Sequence, residues 1–315
     1  MQRPYFAAKK PLSLVELTDA INEKVRVIGD QSRLVKGVAA LENLEAGCLG
    51  FSSVQSDKVS AAIKNTKEGC VVVCAPSDDV SHLAQSRSLV FCSRPRFWFI
   101  KAVRILFDTH QETTLTEISE KAFIDKTSKI GQGSKIDPFV TIGSHVVMGR
   151  QGYLHSGVHL KMGVILGNNV TVQSNTVIGS TGLACERSTA YDPFIDLPHL
   201  ASVQIADHVR VGANCTITRG TLKDTQIGAG TVIGNQVNIG HNVRIGANCF
   251  ISSGVTIAGS ATIGDGSWIG PGAVILNKVR LGQRVKVAVG SVVNRDTPDD
   301  VFLAGHPARP VAEKS

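Results

Sequence analysis

The chain has 315 residues, long enough for two domains with sizeable cores. Hydrophobic residues make up 43% and charged residues 19%, with 31 glycines and only 5% aromatics, a globular composition that suggests many tight turns around small branched side chains. The net charge of +7 favours anionic partners such as phosphates, nucleotides or an acidic carrier protein. Nucleic acid is disfavoured, because there is no dense Lys/Arg run and no basic strand studded with aromatics. No segment reaches about 18 apolar residues, so neither a signal peptide nor a membrane span is expected and the chain reads as cytoplasmic. Its seven cysteines are odd in number and lack CxxC spacing, which predicts reduced packing residues.

In chain order, the first predicted element is a helix opened by a capping box, Ser13 with Glu16 three residues on, and running to about Asn22. Strand-like runs follow at 25–28, 34–39, 48–53, 69–75 and 88–93, with helical stretches near 56–65 and 94–107. Cys70 and Cys74 bracket the run Val71 to Val73 and read as buried strand residues. This mixture predicts a small α/β domain over residues 1–112.

The pattern then changes. From Ile118 an apolar residue recurs every six positions, through Ile124, Ile130, Ile136, Ile142 and Met148 to Ile178. The series resumes at Ile205, Val211 and Ile217, slips by four residues, and runs from Ile227 to Val293 with no polar residue in an anchor place. A helix requires a 3.6-residue period and a lone strand a period of two, so a strict period of six fits neither. It fits short strands joined by tight turns, three hexapeptides to a coil, with about nine coils stacked about 4.8 Å apart. The place two before each anchor is small, as at Cys215 and Cys249, which suits the inside of a narrow prism. The period does not fix the hand of the coil. This domain spans 113–297, and 298–315 reads as a short C-terminal extension. Two interruptions stand out, a long insertion at 179–204 and the short slip at 218–226; long loops leaving a regular solenoid are often functional.

Positions 18 apart stack in such a coil, which makes arguments by column possible. His241 holds the third, outward place of Ile239-Gly-His-Asn-Val-Arg244, with Gly259 one coil on and Asn277, followed by Lys278, two coils on. An imidazole titrates near neutrality and can accept a proton. A bare glycine lets a reacting group approach its N–H, which could hold an oxyanion. Taken alone, an exposed histidine on a repeat corner is more often inert. The remaining histidines lack comparable neighbours, and no convincing ligand set for zinc is legible. Lys278, Arg280, Arg284, Lys286 and Arg295 lie within 278–295 with no acid among them. They read either as a solvated face or as an anion patch for a phosphopantetheine donor.

Several stretches resemble the UDP-3-O-(3-hydroxyacyl)glucosamine N-acyltransferases of lipid A biosynthesis. They are LVKGVAALENLEAGCLGF (34–51), GCVVVCAP (69–76), FWFIKAVRILF (97–107), VIGSTG (177–182), VRVGANCTITRGTLKDTQIG (209–228) and, most specifically, NQVNIGHNVRIGANCFISSGVTIAGSATIG (235–264). The resemblance implies a mainly β protein, a left-handed parallel β-helix behind a small N-terminal α/β domain. It implies that His241 is the general base and that the Gly259 backbone stabilises the oxyanion. It further implies a homotrimer with sites between subunits and an acyl carrier protein as donor. Asn242 is then expected to orient His241, Phe51 to contact the nucleotide, and Asn277 and Lys278 to line the substrate. No bound cofactor or metal is expected, only the acyl thioester of phosphopantetheine as co-substrate, and at most peripheral membrane contact through a lipidic product.

The chain also departs from that pattern. Phe51 is followed by SSVQSDK without the family's tyrosine, GSTGLAC (179–185) replaces GxDGFGY, and Thr218 stands for an aspartate. Lys278 stands for a second histidine, and AGHPAR (304–309), which resembles the closing turn of short-chain hexapeptide acyltransferases, replaces a helical tail. A second reading therefore keeps the chemistry but transfers a short acyl group from coenzyme A to an amino-sugar nucleotide of a surface glycan. A third, of another class, is a non-catalytic trimeric scaffold.

Overall fold

The computed structural model describes residues 6–52, 60–61, 63–76, 78–107 and 114–310. The chain divides into two compact units, residues 1–111 and 112–315.

The first unit holds a six-stranded sheet in the order Phe6–Ser13, Leu34–Val38, Cys48–Phe51, Val71–Cys74, Ser88–Phe91, Arg26–Ile28. The four central strands run parallel and the two edge strands antiparallel to their neighbours. The run Val71 to Cys74 shows no polar alternation because both faces of the sheet are covered. Val71 and Val73 share a core with Leu14, Leu17 and Trp98 from the helices Leu14–Ile21 and Pro95–Leu106. Val72 and Cys74 face a second core with Leu44, Ile63 and Leu89. Burial pushes the Cys74 thiol up to about 12, which leaves it an inert packing group. All seven cysteines are unpaired, and six are buried; Cys185 is the half-exposed exception. The capping box forms, with the Ser13 side chain accepting from the Glu16 N–H and the Glu16 carboxylate from the Ser13 N–H. The sequence reading missed the strand Phe6–Ser13. Its Lys9-Lys10-Pro11 stretch reads as loop, and it lies where the register shifts between Ala7 and Leu12, on an edge where proline costs no ladder bond. Most of the helical stretch expected near 56–65 lies outside the described residues; residues 60–61 and 63–64 are helical.

The second unit is a left-handed parallel β-helix of two- to four-residue strands. Three sheets, 11-, 9- and 8-stranded, form the sides of a prism, here faces 1, 2 and 3. From Ile136 onward the anchors are buried, whereas Ile118 is 48% exposed and Ile124 and Ile130 are only partly buried, because a terminal coil has a neighbouring coil on one side alone. The small residues two places before the anchors are buried too. Where they carry a hydroxyl it joins two coils: Thr231 Oγ1 donates to the Gly246 carbonyl (2.8 Å) and accepts from the Cys249 N–H (3.0 Å). From Gly133 onward the fourth place of most hexapeptides turns the corner with positive φ, which explains the asparagines at 169, 214 and 248. The second place is often glycine because the next coil passes directly over it; a Cβ on Gly264 would run into the Gly282 carbonyl.

Both interruptions preserve the stacking. Asn238 pairs with Thr256 across a regular coil, Thr216 with Asn238 across the slip, and Val177 with Thr216 across the insertion. The insertion forms an arm in which Cys185–Glu186 pairs antiparallel with Ile195–Asp196. It exposes Leu183, Tyr191, Phe194, Ile195 and Leu200. The stretch 298–315, read as an extension, carries the strands Phe302–Gly305 and Ala308–Pro310, which add to face 1 next to Lys286–Val287. Through residue 310 it is therefore part of the solenoid.

Candidate active site

Faces 2 and 3 meet at the corner that carries residues 241, 259, 277 and 295, each one coil beyond the last. His241 is half-buried there. Its Nδ1 lies 2.9 Å from Asn242 Oδ1, which accepts a hydrogen bond and so puts the ring proton on Nδ1. Nε2 is thereby left as the basic nitrogen, and it bonds to nothing among the described residues. It stands over Gly259: a Cβ there would lie 2.7 Å from Nε2 and 2.8 Å from Cε1. The Gly259 N–H likewise donates to no group among the described residues. The Lys278 N–H binds the Gly259 carbonyl (3.0 Å) and the Ser260 N–H the His241 carbonyl (2.8 Å), which fixes this backbone coil to coil. A basic nitrogen and an open backbone donor thus sit side by side on a rigid edge. That pair can take a proton from a nucleophile and hold the oxyanion formed when the nucleophile adds to a carbonyl.

Asn242 is held in turn by the slip. Its φ of 61° is one that asparagine tolerates, and its Nδ2 donates to the Lys223 carbonyl (2.6 Å). Its Oδ1 accepts from the Thr221 hydroxyl (3.0 Å), and its N–H donates to Thr225 Oγ1 (2.9 Å). The insertion returns onto the same residues. The Leu200 and Ala201 N–H groups bind the Thr221 carbonyl at 2.9 and 3.0 Å, the Arg219 Nε–H binds the Ala201 carbonyl (2.6 Å), and the Ser202 N–H binds Asp224 Oδ1 (2.6 Å). The two interruptions seen in the sequence are therefore one structure, wrapped around the His241–Asn242 corner.

That wrapping brings in His199, which the sequence reading passed over for lack of a motif. Its ring meets that of His241 edge-on, with centroids 5.5 Å apart and planes at 79°. Gly182 fits between them, where a Cβ would lie 3.0 Å from His199 Nε2 and 3.4 Å from His241 Cδ2. Desolvation, followed by the proximity of His241, lowers the His199 pKa. A sequence signal for it existed: an insertion leaving the corner after Ile178 and rejoining before Val203 must bring both its ends to that corner.

The other expected residues divide. Asn277, Lys278 and Arg295 are exposed on the His241 edge, and Arg280 is exposed on face 3 beside it. Arg284 and Lys286 lie elsewhere, at the next corner and on face 1, so the five cations do not form one edge. Nor is Arg284 an open anion site, since Asp299 and Asp300 fold back from beyond 295. Arg284 Nε and Nη2 each bind an Asp300 oxygen at 2.6 Å, which holds that carboxyl below its usual range. Phe51 belongs to the first unit, where its half-buried ring packs on Phe99 at 4.8 Å between centroids. Beside the site, Leu183, Cys185, Ile195, Leu197 and Pro198 line a groove of about 660 Å³ on the arm. Among the described residues no cluster of three or more His, Cys, Asp or Glu could hold a metal ion, and no helix is long and apolar enough to cross a membrane.

Comparisons with known proteins bear on the repeat and on the fold that carries it. The family described as bacterial transferase hexapeptide (six repeats) matches residues 224–259 and 260–295, and the hexapeptide repeat of succinyl-transferase matches 140–180. A UDP-3-O-acylglucosamine N-acyltransferase of Herminiimonas arsenicoxydans is 28% identical over 288 residues, covering 86% of this chain and 81% of the relative. One from Janthinobacterium sp. (strain Marseille) is 29% identical over 306 residues with the same coverage. The fold is shared with a UDP-N-acetylglucosamine acyltransferase from Campylobacter jejuni, at a TM-score of 0.56 and 20% identity over 62% of this chain and 74% of that one. The corresponding Bacteroides fragilis enzyme gives 0.55 and 25% over 62% and 73%. By sequence this chain is an acyltransferase similar over most of its length to the UDP-3-O-acylglucosamine N-acyltransferases, and its solenoid carries the hexapeptide repeat of bacterial transferases.

Proposed function

We propose that the chain transfers a 3-hydroxyacyl group from an acyl carrier protein thioester to the amine of a UDP-amino sugar, as in lipid A biosynthesis. The observation that carries this reading is the His241 Nε2 standing over Gly259 with Nδ1 fixed on Asn242. The neutral amine attacks the thioester carbonyl and forms the C–N bond. His241 Nε2 takes the proton shed by the amine. The oxyanion rests on the Gly259 N–H until the C–S bond breaks, and the departing thiolate recovers the proton from the imidazolium. The names of the relatives support the sugar nucleotide as acceptor. The exposed cations Lys278, Arg280 and Arg295 supply charge for a phosphopantetheine phosphate arriving along the edge. The exposed apolar arm and the flat strand faces suit a homotrimer, with the first unit binding the nucleotide through Phe51, in the cytoplasm where carrier protein and nucleotide sugar meet.

The test is a donor screen: acyl carrier protein thioesters against acyl-coenzyme A species, on a panel of amino-sugar nucleotides. The expected result is turnover of a 3-hydroxyacyl carrier thioester with a UDP-amino sugar. Turnover of short-chain coenzyme A donors alone moves the chain to surface-glycan acylation, and no turnover with any pair rejects the enzymatic reading.

A further inference from the structure

His199 is a buried titratable group with no part in the reaction just described. Its Nδ1 lies 3.1 Å from the Leu197 carbonyl and donates to it, which leaves Nε2 a bare acceptor. Nε2 is buried with no hydrogen-bond partner among the described residues, and the residue as a whole is only 9% exposed. An unpaired buried acceptor is costly, and a phenyl ring would fill the same space without that cost. What an imidazole adds is the Nδ1–H, which pins the ring plane to the Leu197 carbonyl. A ring so pinned presents a fixed edge to its neighbour, and the neighbour is His241. The backbone that carries His199 is stitched through Thr221 to Asn242, the residue that holds His241 from its Nδ1 side.

We propose that His199 is a positioning residue: as the neutral imidazole it fixes the ring plane of His241 so that Nε2 stays over Gly259. The inference rests on the acyl-transfer reading above for its effect on rate, while its effect on the His241 ring is independent of any substrate. The charged groups around His199 favour its neutral form. Burial acts first and the positions of His241 and Arg219 oppose protonation, while only the Leu197 carbonyl and Asp196 favour it. A proton on His199 at low pH would bring a cation into its contact with the His241 ring.

Two variants separate this from a merely structural role. His199→Phe keeps a ring of similar shape but loses the bond to Leu197. His199→Gln can keep that bond through its amide N–H and cannot titrate. For His199→Phe the account expects kcat about tenfold lower with both KM values within about twofold, the signature of a misplaced base. For His199→Gln it expects kcat within about threefold of the parent near neutral pH, and an acid limb of kcat governed by one proton where the parent steepens toward two. Long-range proton–nitrogen correlation on histidine-labelled protein reads the ring without substrate. The parent should show His241 as a single Nδ1-protonated tautomer, and His199→Phe an averaged one. An unchanged His241 tautomer in a folded His199→Phe protein overturns the inference even if no substrate has been found. An acid limb in His199→Gln identical to the parent's also overturns it. A parent inactive with every donor, but with the tautomer lost in His199→Phe, rejects the acyl-transfer reading and leaves the positioning role standing.

Discussion

The corner at His241 and the other corners of the solenoid are built from the same hexapeptide, yet their third places are filled differently. At several other corners a third-place side chain caps the coil before it. Asp207 Oδ1 accepts from the Asn168 N–H (2.7 Å), Asn235 Oδ1 from Ala213 (2.9 Å) and Asp265 Oδ1 from Ala247 (2.8 Å). Along the His241 edge the third place is an imidazole and then a glycine, neither of which caps, and the Gly259 N–H is left open among the described residues. An open third-place donor is not peculiar to this corner, since the N–H groups of Ser144, Ala229 and Ser253 also donate to no group among the described residues; what sets the Gly259 corner apart is the imidazole standing over it. A donor left open beside a basic nitrogen marks the coil that has to react.

The sharpest way to break that contrast is to remove the base. His241→Ala should lower kcat about 10²- to 10⁴-fold while the protein stays folded, since the ring projects from a corner and not into the core. Near-parental turnover in a well-folded variant would make the open corner incidental. Next is Asn242, whose left-handed backbone suits glycine. Asn242→Gly should keep the turn, free the imidazole to change tautomer, and lower kcat about tenfold with little change in either KM. Steady-state kinetics with both substrates varied would show it, and a change confined to KM would contradict it. The smallest effect concerns the basic edge. Lys278→Gly, at a φ of 64°, and Arg295→Ala should raise donor KM about two- to fivefold, the effect fading with salt because exposed charges are screened over about 8 Å. Arg284→Ala, whose cation is already matched by Asp299 and Asp300, should leave donor KM unchanged. Equal effects from Arg284 and Lys278 would mean that the donor does not approach along the His241 edge.

The sequence was most legible where the physics is periodic. A single six-residue series located the strands from Ile136 to Val293 because each anchor must enter the same prism. His241 and Gly259 were legible for the same reason, as neighbours in one column. The strand Phe6–Ser13 was not, since an edge strand tolerates Lys-Lys-Pro and leaves no apolar signature. His199 was not legible by composition either, because it reaches the site through a non-periodic insertion whose course depends on hydrogen bonds to the slip. Nor was the pairing of Arg284 visible, because its partners Asp299 and Asp300 come from the next turn of the chain and not from its own run of charge.

The claim that Gly259 serves the base and not the stack is tested most directly by one paired measurement, turnover and thermal stability of Gly259→Ala beside Gly264→Ala. At Gly264 a Cβ would strike the Gly282 backbone, so the substitution should cost about 1–3 kcal/mol of stability and lower Tm, while the folded fraction keeps its kcat. At Gly259 the obstacle is the His241 ring, a side chain that can swing away. Tm should therefore hold while kcat falls about 10²-fold as Nε2 leaves its place. If Gly259→Ala instead loses stability with kcat intact, as Gly264→Ala should, the His241 corner is one more structural turn and the account is wrong.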